Sequence, residues 1–251
     1  VAEKQIYRVR LTALGEPGHG SMPHAAGAVN RLTAALARLL EHPRPLTVGP
    51  AAAAMFAGVA PAMKFPASLL LRRLDNPLAL RLAGGKLAAD KFTNAVVRDT
   101  VSINIVQAGY QINVIPERAR AELDCRLLPE TDAEEFHRWL ARRVADENIR
   151  IEVISQSPPS GVAPTGTPFY RAVREAVEKF SPGARVFPLL MAGATDGRYW
   201  RERGYPAYGF TPMILERPDL GRVHGIDERI SIDNLFLGVQ MVREILKTLC
   251  A

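Results

Sequence analysis

The sequence predicts an α/β protein in two parts: a ferredoxin-like βαββαβ domain that carries a helical insertion, and a following segment of alternating helices and strands. Hydrophobic and polar residues alternate in several stretches of the first part, which is typical of strands with one buried face. Two stretches between them have hydrophobic residues at steps of three and four, which is typical of helices. After a Ser/Pro-rich linker, the pattern changes to helices and short buried strands.

The first predicted strand and helix lie on either side of a glycine-rich segment. Residues 7–13 alternate between hydrophobic and polar side chains and are therefore predicted to form a strand. The helix that follows has a hydrophobic face made of Val29, Leu32, Leu36 and Leu39. This helix is predicted to end at His42, because Pro43 and Pro45 remove backbone donors and restrict the residues before them.

A stretch of different composition extends from Pro45 to about Arg98. It is rich in alanine and leucine and contains several prolines, so we expect short helices joined by turns. We interpret residues 45–98 as an insertion into the ferredoxin-like domain. The insertion could shape the entrance to a substrate site or extend an interface, and both alternatives stay open.

The rest of the first domain is predicted as two strands, a helix and a strand. The strands are expected at residues 101–105, 118–126 and 149–153. Thr131 and Glu134 have the spacing of a capping box, which predicts the start of a helix. The hydrophobic face of that helix contains Phe136, Leu140 and Val144. Without the insertion the order is βαββαβ, and we place this domain at residues 5–156.

The second part, residues 157–251, is predicted to be an α/β layer. Thr167 and Pro168 are typical of a helix N-terminus. Strands are expected at residues 186–190 and 206–210, with a short helix between them. A final helix has a hydrophobic stripe made of Leu235, Val239, Val242, Leu246 and Leu249. These elements are too few for an independent doubly wound domain, so we expect its other half to precede residue 1.

Composition argues against two classes of protein. The chain has 32 basic and 26 acidic residues, a net charge of +6, which we interpret as scattered surface charge. Aromatic residues make up 7% and do not alternate with basic ones, so no nucleic-acid partner is expected. The longest apolar stretch, residues 51–71, is interrupted by Pro61, Lys64 and Pro66, so neither a membrane span nor a membrane partner is expected.

The cysteines and three of the histidines predict no chemistry. Cys125 and Cys250 are too few for a disulfide framework or a metal quartet. They are compatible with a reducing compartment, and we expect a cytoplasmic location. His24, His42 and His137 match no catalytic pattern and are expected to be structural.

The glycine-rich segment GEPGHGSMPH, residues 15–24, contains more turn-forming residues than an ordinary connection needs. It resembles the lid-domain signature G-x-P-G-H-x-S-x-P of the zinc aminoacylase and carboxypeptidase family, the M20 peptidases. That family includes acetylornithine deacetylase, succinyl-diaminopimelate desuccinylase, aminoacylase and carboxypeptidase S-like enzymes. Every fixed position of the signature is present here: Gly15, Pro17, Gly18, His19, Ser21 and Pro23.

Four further segments resemble the same family. They are QINVIP at residues 111–116, DCR at 124–126, GATDGR at 193–198 and HGIDERIS at 224–231. In this family a ferredoxin-like lid is inserted into the peptidase domain. The resemblance therefore implies a lid and dimerisation domain followed by the C-terminal part of a zinc-peptidase α/β domain whose N-terminal part is absent.

The resemblance also implies roles for individual residues. His19 would reach into the active site of the partner subunit and polarise the scissile carbonyl. Asn113 and Arg126 would contact the substrate, since a guanidinium can bind a carboxylate in bidentate fashion. Gly193 and Thr195 would bind the carboxylate end of the substrate.

His224 would be the last zinc ligand of the family. A structural role is the alternative for each of these residues. His19 could be a solvated turn residue, Asn113 a turn former and Arg126 an outward-facing strand residue. Residues 193–195 could form a plain strand-to-helix turn, and His224 could be a solvated loop histidine.

The implied function is that of a zinc-dependent amidohydrolase that cleaves N-acyl amino acids or small peptides as a homodimer formed through the lid. A complete active site would hold two zinc ions, whereas this chain supplies one of their ligands. The 251-residue chain alone is therefore expected to be inactive, and it could lack bound zinc. The alternative is a non-catalytic dimerising or ligand-binding protein built on the same fold.

Overall fold

The computed structural model describes residues 1–159, 161–215, 219, 222–223 and 225–250. Its strands are β1 (Ala2–Glu3), β2 (Gln5–Leu14), β3 (Gly18–His19), β4 (Thr100–Ala108), β5 (Val114–Ile115), β6 (Arg118–Leu127), β7 (Ile149–Gln156) and β8 (Leu190–Met191). The helices are α1 (Ala28–Glu41), α2 (Pro50–Val59), α3 (Ala67–Leu71), α4 (Pro77–Ala89), α5 (Lys91–Val96), α6 (Ala133–Val144), α7 (Pro168–Phe180), α8 (Gly197–Glu202) and α9 (Ile232–Cys250). A 3₁₀ turn, Ala60–Ala62, follows α2.

The main sheet contains four strands in the order β4-β6-β2-β7, and every neighbouring pair is antiparallel. Helices α1 and α6 pack against each other, and the hydrophobic residues of both helices share one core with the sheet. With the chain order β2-α1-β4-β6-α6-β7, this is the ferredoxin-like arrangement. The predicted fold class is confirmed.

The core of this domain follows the predicted alternation along β2 and β6, but three expected core residues, Val29, Ile105 and Val153, are exposed. In α1 the buried positions are Ala28, Leu32, Ala35 and Leu39, so Val29 lies on the outer side. In β4 a bulge shifts the register, because Ile103 lies opposite Leu123 whereas Ile105 lies opposite Glu122. The extra residue reverses the side on which Ile105 projects, and that side chain is exposed.

The N-cap of helix α6 lies one residue later than the capping box predicts. Asp132 is the N-cap, and its carboxylate accepts a hydrogen bond from the Glu135 backbone N–H at 2.7 Å. The Thr131 hydroxyl instead donates to the Asp99 carboxylate at 2.8 Å. The capping-box prediction was wrong because a buried carboxylate from the end of the insertion takes the Thr131 hydroxyl.

The insertion consists of short helices, as expected, and they pack on the second part of the chain as well as on the first. Residues of α2, α4 and α5 form a hydrophobic cluster with Ala2, Leu128 and Leu190. Helix α2 approaches the second part so closely that a Cβ atom at Gly58 would lie 2.4 Å from the Phe187 Cβ. The insertion therefore joins the two parts of the molecule.

The second part contains fewer strand residues than predicted. Helix α7 has the predicted N-cap, since the Thr167 hydroxyl accepts from the Tyr170 backbone N–H at 3.2 Å. Of the strand expected at residues 186–190, only Leu190 is in a strand, β8, which pairs with β1 in parallel. Residues 206–210 form no strand. The Tyr208 ring stacks on Phe169 of α7 instead, with 5.5 Å between the ring centroids.

Helix α9 buries a different side from the one predicted. Met241 and Ile245 are buried, and Ile245 belongs to the hydrophobic cluster that joins α9 to α7. The predicted stripe from Leu235 to Leu249 is between 38% and 58% exposed and borders a groove of about 750 Å³. Periodicity identified an apolar face here, but α7 packs against a different one.

Three consecutive buried polar residues connect the parts of the molecule where β1 leads into β2. The Glu3 carboxylate pairs with Arg201 of α8, and the Gln5 amide donates to the backbone oxygens of Leu128, Pro129 and Thr131. Between them, the Lys4 Nζ donates to the oxygens of Ala95, Arg98 and Thr100. Each residue binds a different element, so this polar junction sets the relative positions of α8, the insertion and the first domain.

No helix in the described part of the chain combines the length and hydrophobicity needed to span a bilayer.

We predict that Lys4 makes stability increase with pH above neutrality. Burial lowers the pKa of Lys4 to about 7 from its ordinary value of 10.5, while the nearby Asp99 carboxylate opposes this shift. Between these two pH values the unfolded chain binds a proton that the folded chain does not, so raising the pH favours folding, by up to about 1.4 kcal/mol per pH unit.

Urea unfolding of the wild type and of Lys4→Met at several pH values from 7 to 10 tests this prediction. The stability of the wild type relative to the variant should rise over this range. A stability difference that does not change with pH would contradict the prediction.

Candidate lid and substrate site

The segment that carries His19 is held by backbone pairing with the segment that carries Asn113. In the small sheet of β3 and β5, Gly18 pairs with Ile115 and His19 with Val114. The next backbone N–H, that of Gly20, donates to the Asn113 oxygen at 2.8 Å. A Cβ atom at Gly20 would lie 3.2 Å from the Asn113 backbone. Glycine has no Cβ atom and therefore lets the two backbone segments come this close. The structure thus brings two of the predicted site residues together.

Glycine is also required where the segment leaves β2. A Cβ atom at Gly15 would lie 2.2 Å from the Ala28 nitrogen and 2.5 Å from the Ala26 oxygen, closer than any side chain allows. The Gly15 N–H donates to the Glu117 oxygen at 2.9 Å. This contact brings the start of the segment against both α1 and the start of β6.

The hydrogen bonds of the His19 ring determine which of its nitrogens can donate. The Ser21 backbone N–H donates to Nδ1 at 3.2 Å, and the Ser21 hydroxyl lies 2.8 Å from the same atom. A backbone N–H can only donate, so Nδ1 is an acceptor and the neutral ring carries its proton on Nε2. His19 is exposed, and its Nε2–H can therefore donate to a group outside this segment.

Asn113 is exposed beside His19, and its side chain makes no hydrogen bond within the described residues. Arg126 lies at the opposite end of the sheet. Its guanidinium binds Asp124 in bidentate fashion, at 2.7 and 3.0 Å, on the face of the sheet away from the helices. The structure therefore places Arg126 apart from His19 and Asn113. The guanidinium group of Arg126 already binds the Asp124 carboxylate.

The turn predicted to bind a substrate carboxylate is held by Glu3. The Glu3 carboxylate accepts hydrogen bonds from the Thr195 backbone N–H and from the Arg201 side chain. The Thr195 hydroxyl accepts from the Gly197 N–H at 3.2 Å. Both side chains of the Glu3–Arg201 pair are at most 6% exposed, so the turn that follows Gly193 has a fixed, buried support.

The site residues fall into two groups at opposite ends of β2. His19 and Asn113 lie beyond its last residue, whereas Thr195 is bound by Glu3, just before its first residue. A strand of 10 residues spans roughly 30 Å, at about 3.3 Å per residue. One chain therefore does not bring His19 close to the Thr195 turn.

The first part of the chain matches a known protein family. The model of the peptidase dimerisation domain of the M20 family matches residues 1–152, more than half of the chain. The chain belongs to the M20 peptidase family. The family consists of hydrolytic enzymes, so the predicted family and enzyme class are confirmed.

The relatives of this M20 chain are longer than it is. It is 29% identical over 249 residues to the N-fatty-acyl-amino acid synthase/hydrolase PM20D1 of Xenopus tropicalis, covering 98% of this chain and 48% of the relative. The fold of the di-peptidase Dug1p from Saccharomyces cerevisiae matches with a TM-score of 0.62 at 15% identity, over 98% of this chain and 54% of that one. The M20 family metallo-carboxypeptidase Sso-CP2 from Sulfolobus solfataricus matches with a TM-score of 0.56 at 15% identity, over 98% and 62%. This chain thus spans about half the length of the curated relatives that it matches.

Metal dependence is general among M20 metallopeptidases, but the described residues of this M20 chain do not form a metal site. They contain no cluster of three or more histidine, cysteine, aspartate or glutamate side chains that could hold an ion. His224, the predicted zinc ligand, lies outside the described residues. Nearby, Asp227 pairs with Arg222 and Arg229. Buried Cys125 is no substitute, because burial raises its pKa to about 12.

Glu3, Arg201 and Ser21 contact the candidate site residues, and the sequence analysis did not identify these contacts. The only signal for Glu3 was a charged pair, Glu3-Lys4, directly before a strand with a hydrophobic face. Ser21 was recognised as part of the motif, but not as a partner of the His19 ring. Sequence spacing does not encode contacts of this kind.

We predict that Ser21 sets the tautomer of His19. In the wild type, NMR spectra of chain labelled with ¹⁵N-histidine should show an unprotonated Nδ1 and a protonated Nε2. Ser21→Thr keeps a hydroxyl donor and should preserve this pattern. Ser21→Asp replaces the hydroxyl with an acceptor that competes with the backbone N–H for Nδ1, and it should raise the fraction of rings that carry the proton on Nδ1.

The His19 signals are identified by their loss in His19→Gln. His42, the residue that follows the C-terminal end of α1, has its Nδ1 3.2 Å from the Arg38 oxygen and serves as the internal reference. Identical His19 spectra in the wild type and Ser21→Asp would show that the side chain of Ser21 does not influence the tautomer of the ring.

Proposed function

We propose that this chain is the lid and the C-terminal part of a metal-dependent amidohydrolase that cleaves N-acyl amino acids or small peptides. The observation that carries this proposal is the exposed His19 ring, whose Nδ1 is bound by Ser21 and whose Nε2–H points to no partner in its own segment. The functions of two relatives support the substrate classes. PM20D1 is a hydrolase of N-fatty-acyl amino acids, and Dug1p is a di-peptidase.

The role proposed for His19 is to stabilise negative charge on the carbonyl oxygen under attack. A fixed N–H donor directed at that oxygen binds more strongly as charge develops, and it needs no reorganisation during the reaction. Asn113, held beside His19 by the Gly20 contact, is placed to bind another polar group of the same substrate. The Thr195 turn, with its buried Glu3 support, is proposed to bind the carboxylate end.

The separation of these two groups supports a homodimer in which each lid serves the other subunit. A substrate of one or two residues cannot span roughly 30 Å, so His19 and the Thr195 turn of one chain cannot both contact it. In a symmetric pair, the His19 end of one lid can face the Thr195 turn of its partner. Homodimerisation itself is suggested by the matched dimerisation domain.

The edge strand β4 and helix α1 are proposed to form the dimer interface. Strand β4 has a free edge, and Ile105 and Val106 are exposed on it. Helix α1 packs near β4 and exposes Val29 and Leu40. An open edge and an adjacent apolar helix face form a surface that can pair with itself around a two-fold axis.

Zinc is proposed only for a longer natural protein, because the described residues do not form its site. The exposed apolar stripe of α9 is compatible with additional chain packing against the second part. The cytoplasmic location stays a prediction.

Metal analysis of a longer natural protein tests the zinc proposal, and a hydrolysis screen with N-acyl amino acids and dipeptides tests the activity and the substrate class.

We predict a reciprocal pair of mutant effects in the longer protein. His19→Ala should reduce turnover on the order of a hundredfold through loss of an oxyanion donor, while the metal content stays intact. His224→Ala should lose metal. His42→Ala is the matched control and should retain activity, and the 251-residue chain alone should hydrolyse no amide.

Mixing the two inactive variants tests whether His19 acts on the partner subunit. With statistical exchange, half of the dimers are mixed, and each mixed dimer has one intact site, so activity should recover to roughly a quarter of the wild-type value. No recovery despite demonstrated exchange would mean that His19 acts in its own subunit or not at all.

We also predict that a charge on the β4 edge weakens the dimer. Val106→Lys should shift the protein towards monomer, since it places an ammonium group where two edge strands would meet. Val153→Lys is the matched control, because Val153 is exposed on the opposite edge strand β7. Light scattering at micromolar concentration measures both variants. A stable Val106→Lys dimer, or an equal effect of Val153→Lys, would rule out this interface.

A further inference from the structure

The insertion carries most of the net charge of the protein. Residues 45–98 contain seven basic and two acidic residues, a net charge of +5, compared with +6 for the whole chain. Six of these basic residues are exposed: Lys64, Arg72, Arg73, Arg81, Lys86 and Lys91. The charge that the composition alone suggested to be scattered is therefore concentrated in one element of the fold.

Large apolar side chains are exposed among these basic residues. The Phe65 side chain is 81% exposed and that of Leu69 is 55% exposed. The Ser68 N–H donates to the Lys64 oxygen and the Leu70 N–H to the Pro66 oxygen, so residues 64–66 form turns directly before α3. Leu69 of α3 and Arg72 at its C-cap are three residues apart and project from the same side. One side of this short helix thus combines aliphatic and basic groups, and the exposed Phe65 ring directly precedes the helix.

Helix α4, which packs against α3, repeats this combination. Ala79 and Leu87 are buried, whereas Leu78 and Leu82 on another side are 65% and 67% exposed. Arg81 lies between these two leucines and is also exposed. A helix that is apolar on both its inner and its outer side has an outer side suited to an apolar partner.

We propose that this face of the insertion, made of Phe65, Leu69, Arg72, Arg73, Leu78, Arg81 and Leu82, docks onto the surface of an anionic lipid bilayer. Apolar side chains can enter the boundary between headgroups and acyl chains while arginines bind lipid phosphates. Each basic residue near an anionic membrane contributes about 1 kcal/mol to binding. The expectation of no membrane partner came from the absence of a spanning stretch, but a protein that lies on a bilayer does not need one.

The chemistry of the face favours lipid over nucleic acid, which would also attract the arginines. Single-stranded nucleic acids bind to aromatic platforms on which the bases stack. Phe65 is the only aromatic residue of the proposed face, and the other apolar members are leucines. Leucine side chains suit acyl chains rather than bases.

Co-sedimentation of the 251-residue chain with vesicles tests the proposal. We expect binding to vesicles that contain phosphatidylserine, weak binding to pure phosphatidylcholine vesicles, and loss of binding at high salt. Replacing two arginines with Arg72→Gln and Arg73→Gln should reduce the partition coefficient tenfold or more. Phe65→Ser should also reduce it.

Matched variants elsewhere control for charge and for hydrophobicity. Arg142→Gln with Arg143→Gln removes an adjacent arginine pair from α6, and Ile112→Ser removes an exposed apolar side chain near the His19 segment. Both should bind vesicles like the wild type. Circular dichroism of every variant verifies that the fold is retained.

Several results would overturn the proposal. These are no binding to anionic vesicles at low salt, equal losses in the control variants, or tighter binding to a single-stranded oligonucleotide that depends on the same arginines. If the wild type self-associates and Phe65→Ser does not, the face binds a second copy of the chain instead of a bilayer. Vesicle binding by this chain but not by a longer natural protein would assign it to contacts with the additional segment.

Discussion

The polar junction of Glu3, Lys4 and Gln5 is the interaction on which the arrangement of this protein depends. Burying three consecutive polar side chains is costly unless each is fully hydrogen-bonded, and here each finds its partners on a different element. The backbone of three residues thereby fixes α8, the end of the insertion and the end of β6 relative to one another. A shift of one residue in this stretch would break all three sets of contacts, which makes the junction specific as well as stabilising.

This junction also determines where the site residues lie. Glu3 holds the Thr195 turn at one end of β2, and the pairing of β2 with β6 and β7 carries the chain away from it. The His19 segment begins where this pairing ends. The sheet thus separates His19 from the Thr195 turn, and the proposed shared site requires a second copy of the chain to close the gap.

Sequence predicted the first domain well because its signals are local. Alternation along β2 and β6 and the spacing within α6 depend on one buried face each, and two separate motifs identified His19 and Asn113 as candidate site residues. The failures share a different cause. The bulge that turns Ile105 outward, the Asp99 carboxylate that takes the Thr131 hydroxyl, and the Glu3 support of Thr195 all depend on residues distant in sequence. Period and propensity carry no information about such partners.

Two apolar surfaces in the described part of the chain differ in a way that indicates different partners. The α9 groove is bordered mainly by aliphatic side chains, among them Leu235, Val239 and Leu246, and it belongs to a layer whose predicted strand at 206–210 does not form. Such a surface suits close packing against protein, where charges would have to be desolvated. The outer face of the insertion instead mixes leucines with arginines, and burying it under protein would require a carboxylate for each guanidinium. A bilayer accepts both groups without that requirement, because the acyl region and the anionic headgroups lie at different depths.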